Sequence, residues 1–346
     1  MVHTAAAEYG SLAVQAEGSR IAFLARPASP EPAGPEASAE AELQSGPDVA
    51  AAPPAAALFV ADADGVARAV IGGEAGSPED GGGLAGGWWI PVDADLRLSH
   101  SGERVFFGSR PALTPPDPEL AEQLPEEEVE VDIWSWTDDF LQPMQKVRLA
   151  DDSARTYLAW TPFDGGAARQ LETPELPVVR LDDTGDAATL LGLDDGPWRQ
   201  LVSWEASYDD LYAVDAETGE RRLVQERVRW LPSLSPEGDR IVWFDGDTGH
   251  WMTRAVDGAG AEAVALSEAI PHPVFDVLND RPDGHYPEAA ARWTDDGRVL
   301  VHDTYDVWVI DPANPAGARS VTEGRGRELG VRFRVLDPDP ETPVIE

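Results

Sequence analysis

Six histidines and 64 acidic residues carry most of the titratable chemistry of this 346-residue chain, which has no cysteine. The histidines are His3, His100, His250, His272, His285 and His302. No two stand four apart, the spacing that puts a metal-binding pair on one helix face, and His-Glu-x-x-His is absent. Without cysteine, thiol catalysis, disulfides and thiolate-held zinc are excluded. No serine has glycine at both −2 and +2, so the nucleophile elbow of α/β-hydrolases is missing. Carboxylates are so many that spacing singles out no acid–base pair. No catalytic residue is therefore assigned, and neither a metal nor a cofactor is called for.

Weaker constellations remain. Asp62-Ala-Asp64-Gly65 and Asp245-Gly-Asp247-Thr-Gly249 have the outline of calcium loops. Both lack a third acidic ligand and the distant Glu, and Asp with Gly is also what hairpin turns prefer. They read as turns. The segment Gly72 to Gly87 is glycine-rich but has no Gly-Lys-Ser/Thr ending, so it is not a phosphate cradle. His272 and His285 lie in a Pro-rich stretch, Ile270 to Tyr286. They read as residues of an exposed connecting loop; the functional alternative is a substrate-contact or metal loop. Glu126, Glu127 and Glu128 read first as a solvated face.

The elements that would position such residues are set by a recurring phrase. It appears as Leu98-Ser-His-Ser-Gly102, Leu181-Asp-Asp-Thr-Gly185, Leu234-Ser-Pro-Glu-Gly238 and Trp293-Thr-Asp-Asp-Gly297, with a weaker copy at Gln15-Ala-Glu-Gly18. Each copy is a turn ending in glycine, which tolerates positive φ. A β-branched and aromatic run follows most copies, as in Arg240-Ile-Val-Trp-Phe244, and suits a half-buried strand. A second phrase interleaves with the first: a strand, an Asp and a turn with Gly. Its copies are Leu58 to Asp62, Tyr157 to Asp164, Leu211 to Asp215, Trp251 to Asp257 and Val307 to Asp311. Two hairpins in fixed order make four strands, which is one β-propeller blade. Gly185, Gly238 and Gly297 are 53 and 59 residues apart, a blade-like period.

The expected fold is therefore all-β, a β-propeller of four-stranded blades. Five or six blades are visible. The doubt lies between Leu98 and Leu181, which reads as one blade with an insertion or as two irregular blades. That interval holds Asp132 to Trp136, Lys146 to Leu149 and Tyr157 to Trp160 as strand-like stretches. Strand-like sequence resumes at Val331-Arg-Phe-Arg-Val335, which reads as the start of an unfinished blade. The expectation is one partial propeller over residues 1–346, an incomplete ring of seven or eight blades. Disordered insertions are expected at 26–57, 72–87 and 111–130.

Charge narrows the partners. The chain carries 26 basic and 64 acidic residues, a net charge of −38. A phosphate-binding footprint is basic, so nucleic acid is excluded as a partner, and an anionic membrane surface is disfavoured. No stretch approaches the roughly 20 apolar residues of a membrane helix. The opening residues have neither the basic nor the apolar region of a signal peptide.

The order of the phrases resembles a prolyl oligopeptidase-family serine peptidase. The series runs Val131-Asp-Ile-Trp-Ser-Trp136, Leu141-Gln-Pro-Met-Gln145, Arg155-Thr-Tyr-Leu158, Leu176-Pro-Val-Val-Arg-Leu181 and Leu201-Val-Ser-Trp204. It continues through Asp210-Leu-Tyr-Ala-Val-Asp215, Leu234-Ser-Pro-Glu-Gly238, Tyr305-Asp-Val-Trp-Val-Ile-Asp311 and Val331-Arg-Phe-Arg334. The resemblance spans about Leu96 to Leu336. It implies an N-terminal propeller that caps a C-terminal hydrolase domain and restricts entry to short peptides. The partners it implies are a peptide substrate and that hydrolase domain, and it allows an exported parent. No triad residue carries over, because no triad motif and no α/β-hydrolase domain is present in this chain. The family's substrate-holding glutamates suggest a role for Glu126 to Glu128, although the motif around them departs from the family's. With His272 and His285 these are the substrate-contact candidates. The competing expectation is a stand-alone TolB-like propeller used as a binding scaffold.

Overall fold

One turn is built five times, and its hydrogen bonds explain the recurring phrase. In this computed structural model Gly18, Gly102, Gly185, Gly238 and Gly297 have φ of 72°, 72°, 72°, 73° and 76°. In the fourth copy the Gly238 N–H donates to Ser235 O at 2.9 Å and the Ser235 N–H to Arg240 O at 2.8 Å. The Ser235 hydroxyl accepts from the Asp239 and Arg240 amides at 3.1 and 3.0 Å and donates to Asp239 Oδ1 at 2.7 Å. Thr294 and Ser99 repeat the pattern toward Arg298 and Arg104. A short hydroxyl side chain followed three residues later by glycine satisfies the turn's amides locally.

The structure describes residues 7–27, 55–62, 65–72, 84, 87–111, 135–257 and 262–336. Glu126, Glu127 and Glu128, most of the three predicted insertions and Asp132 to Trp134 lie outside them. The chain divides into two compact units, Met1–Thr173 and Pro174–Glu346.

The first unit holds two antiparallel sheets. One is β1 (Ala7–Val14), β2 (Arg20–Pro27), β3 (Ala57–Asp62) and β4 (Arg68–Ile71), paired in chain order. The other has its first strand broken in two, β5 (Trp88–Trp89) and β6 (Leu96–Leu98). Both pieces pair with β7 (Arg104–Pro111), which is followed by β8 (Tyr157–Pro162) and β9 (Arg169–Gln170). Buried Ile90 and Ala94 sit in the break, and the Ser11 amide reaches across to Val92 O at 3.3 Å. A Cβ on the neighbouring Gly10 would lie 1.6 Å from that same oxygen, so only glycine permits the approach. The adjacent turns interlock: Arg20 donates to Gly102 O at 2.8 Å and Gln15 to His100 O at 2.9 Å.

Between β7 and β8 runs a helix, α1 (Gln142–Ala154), none of whose residues is buried. Among the described residues the stretch from Leu98 to Gln170 thus supplies strands of one sheet, with this helix between β7 and β8. Lys146 to Leu149, strand-like in sequence, are helical. Pro143 in the first turn and the Met, Gln, Lys, Arg, Leu and Ala that follow all favour a helix over a strand.

The second unit holds three sheets, each paired in chain order. They are β10 (Val178–Arg180) to β13 (Arg221–Val228), β14 (Trp230–Leu234) to β17 (Val264–Ala265), and β18 (Arg292–Trp293) to β21 (Asn314–Ser320). Their middle strands are β11 (Thr189–Asp194), β12 (Asp209–Asp215), β15 (Arg240–Asp245), β16 (His250–Ala255), β19 (Val299–His302) and β20 (Val307–Asp311). The period-2 alternation of β15 decides the packing. Ile241 and Trp243 join Leu191, Leu193 and Leu211 of the preceding sheet, while Val242 and Phe244 join Trp293, Val299 and Val301 of the following one. A middle strand buried on both faces reads as a continuous apolar run, as Ile241 to Phe244 does. Val331 to Val335 join no sheet; Phe333 and Val335 hydrogen-bond to Tyr305 and His302 at one end of the last one.

Candidate functional site

In a four-stranded meander, the loop between strands two and three and the link to the next sheet emerge at the same end. The glycine turns lie at the other. In the second unit this loop-bearing end carries residues 195–208, 246–249, 266–291, 303–306 and 321–336. The first of these includes a 3-10 helix, Gly196–Ser203, and the last a short helix, α2 (Arg325–Leu329).

A single residue, Arg229, links β13 to β14, and the reversal is sharp. Arg227 and Leu231 on either side hold φ of 54° and 49°, values that bulky residues adopt only where the surroundings hold them. The Arg227 amide is fixed by Asp210 Oδ1 at 2.9 Å, which also accepts from Trp198 Nε1 at 2.7 Å. Asp210 is buried, and both donors meet the same oxygen of its carboxylate.

The reversal turns two guanidinium groups outward among aromatic rings. Arg227 stands 4.7 Å over Tyr208 and 5.7 Å over Trp198, and pairs with Glu205 at 2.6 Å. Arg229 stands 4.5 Å over Trp230 and grips Asp283 with both terminal nitrogens, at 2.6 and 2.7 Å. Tyr286 donates to the same carboxylate at 2.8 Å and packs on Trp230 at 4.7 Å between ring centroids. Arg229 and Tyr286 hold the Asp283 carboxyl well below the usual carboxylate range. Between Tyr208, Arg227, Arg229, Trp243, Gly246 and Gly284 lies a small cleft of about 100 Å³.

A larger cleft of about 370 Å³ opens beyond Tyr286. Its walls are the loop from Asp276 to Glu288 and two arginines of the last segment, Arg332 and Arg334. Glu288 side-chain exposure is only 5%. Its Oε1 is held by Arg334 at 2.6 Å and Arg332 at 3.5 Å. The segment carrying these arginines is pinned by its own amides. Val331 donates to Gly326 O, Phe333 to Tyr305 O at 2.8 Å, and Val335 to His302 Nε2 at 3.2 Å.

His302 is 3% exposed, and its Nδ1 has no partner. Burial, then the Arg334 charge, pulls its pKa down to about 4, so the ring is neutral at pH 7. Asp303 and Asp306 beside it are also buried. Asp303 accepts from Tyr305 N, Asp306 N and Trp308 Nε1, and Asp306 from Thr322 Oγ1, Gly326 N and Arg327 N. Both carboxylates are consumed by structure. On the far sheet burial, and next the nearby Asp195 charge, push Asp209 up to about 6.

The predicted loop residues do lie at this end, each beside an aromatic ring. His285 stacks on Phe275 at 3.9 Å and donates its amide to Gly246 O, while His272 stands edge-on to Trp308 at 6.4 Å. Each ring has its own aromatic partner. Among the described residues no three His, Asp or Glu are placed to hold a metal ion. Asp245 and Gly249 form a turn, as read from sequence: Asp245 accepts from Asp247 N, Thr248 Oγ1 and Gly249 N. The arginines that face the clefts were not singled out from sequence. The available signal was Arg alternating in Val331-Arg-Phe-Arg334 within a chain of low basic content.

No family model matches the chain, and no curated protein matches it. Solved structures similar to it include TolB from Acinetobacter baumannii, at 10% identity and a TM-score of 0.30, covering 91% of this chain and 54% of that one. The β-propeller domain of the Trilobed protease from Pyrococcus furiosus is similar at 11% identity and a TM-score of 0.34, covering 90% and 68%. Puromycin hydrolase is similar at 15% identity and a TM-score of 0.33, covering 92% and 39%. The chain thus spans about half of the TolB structure and well under half of puromycin hydrolase. The fold class is a β-propeller. That assignment rests on the sheets themselves: among the described residues four have four strands, and the fifth has five because its first strand is broken in two.

Proposed function

We propose that this chain is the non-catalytic propeller portion of a prolyl oligopeptidase-like serine peptidase that cleaves short peptides. Its role is to gate entry and orient the peptide. The observation that carries the reading is the loop-bearing end of the second unit, where Arg and aromatic side chains from separate loops converge on two clefts. Rings and guanidinium groups give an extended peptide flat surfaces and hydrogen-bond donors. No catalytic motif accompanies them, so the contribution is to specificity rather than to bond cleavage. The net charge of −38 favours cationic peptides by long-range attraction.

The purified chain should bind short, unstructured, net-cationic peptides and leave them intact, as mass spectrometry of the recovered peptide would show. Cleavage by the chain itself would contradict the reading, as would failure to bind any member of a varied panel. The peptidase half has a separate test in the coding frame after the Glu346 codon. Continuation to Gly-x-Ser-x-Gly, then Asp, then His supports it. A stop codon in an intact gene favours the second reading, a TolB-like binding scaffold presenting the same clefts.

A further inference from the structure

We infer that the cleft beside Tyr286 is a carboxylate clamp that takes the free C-terminus of a bound peptide. This rests on the peptide-binding reading of the same end of the unit. Three guanidinium groups, those of Arg281, Arg332 and Arg334, line the cleft against two carboxylates, Asp276 and Glu288. In a chain with 64 acidic and 26 basic residues this is a cationic enclave.

The two carboxylates do different work. Glu288 is the buried one, and a buried charge needs partners. It takes one nitrogen of Arg332 and one of Arg334, both on Oε1. Each guanidinium has five N–H donors, so both keep donors for the open side of the cleft. Glu288 thereby fixes the arginines and leaves them available. Asp276 spends Oδ1 on the Leu278 amide at 2.9 Å, closing its own loop.

Arg281 is the third group. It is exposed, its amide is fixed by Asn279 Oδ1 at 3.3 Å, and its guanidinium meets no carboxylate among the described residues. An unpaired arginine opposite two pre-positioned ones suits a planar, doubly accepting anion. A peptide C-terminus has that shape. It also reaches the cleft with a short backbone behind it, while the cationic body of the peptide remains attracted to the surrounding acidic surface.

The test uses a fluorescent, net-cationic octapeptide in three forms: free C-terminus, amidated C-terminus, and amidated with one internal Glu. Anisotropy titrations are run with the wild-type chain and with Arg281→Gln and Arg332→Gln, whose melting temperatures are checked first. The free acid is expected to bind about 10-fold or more tighter than the amide, in line with charge-assisted hydrogen bonds. Arg281→Gln should bring that ratio close to one by weakening the free acid far more than the amide. Equal binding of acid and amide overturns the clamp and leaves the peptide reading standing. Full restoration by the internal Glu overturns the assignment to the C-terminus. Absence of binding by all three peptides overturns the peptide reading. In that case N-acetylglycine against its amide, followed by chemical shifts of Arg side chains, tests the clamp alone: equal shifts overturn it.

Discussion

His302 shows how one buried side chain ties a functional wall to the fold. Its Nε2 accepts the Val335 amide, and Val335 follows the two cleft arginines. The folded-state pKa of about 4 lies below the ordinary 6.5. The stabilisation is therefore complete above pH 6.5 and is lost as pH falls toward 4, because the unfolded chain takes up the proton first. Arg334 disfavours the imidazolium and Asp303 favours it. His302→Gln keeps an acceptor for Val335 but does not titrate. Between pH 7 and pH 4 the wild type should lose on the order of 3 kcal/mol more than this variant in denaturant unfolding. Parallel pH profiles would contradict the assignment. At this scale the sequence was least informative. It pointed to His272 and His285, which lie at the same end as the clefts, and not to the arginines that line them. The arginines went unnoticed because Arg229, Arg281 and Arg332 belong to segments brought together only by the fold.

At the scale of elements the sequence was far more legible, because the decisive interactions are local. A Ser or Thr in three copies, Gln15 or Asp182 in the others, then glycine three residues on, closes the first hairpin with bonds inside one phrase. An Asp ends or directly follows the third strand, as Asp62, Asp215 and Asp311 do. The break between β5 and β6 and the helix α1 were not legible. The first depends on packing against the neighbouring sheet, and the second has no buried face to impose a period. The turn glycines themselves are unequal. Gly238 and Gly297 share a left-handed φ, yet a Cβ on Gly238 would lie 2.8 Å from Thr189 Cβ, whereas one on Gly297 meets nothing within 4 Å. Gly297→Ala should cost about 1–2 kcal/mol, the backbone term alone. Gly238→Ala should cost clearly more, since the adjacent sheet must also shift. Equal losses in thermal unfolding would show that contact with Thr189 does not matter.

For the molecule as a whole, five copies of one turn accompany five sheets among the described residues, and within each unit neighbouring sheets bury their middle strands against one another. Such an architecture leaves chemistry to the loops at one end. In the second unit those loops expose arginine and aromatic groups in a chain of net charge −38. Helices contribute little: among the described residues none is long and apolar enough to cross a membrane. In the proposed function this loop-bearing end holds a peptide. Amide hydrogen exchange of the chain with and without a bound cationic peptide tests it most directly. Protection is expected over residues 276–288 and 331–335 and at 227–231, with the glycine turns at the opposite end unchanged. Protection confined to those turns, or to the first unit, would contradict the account.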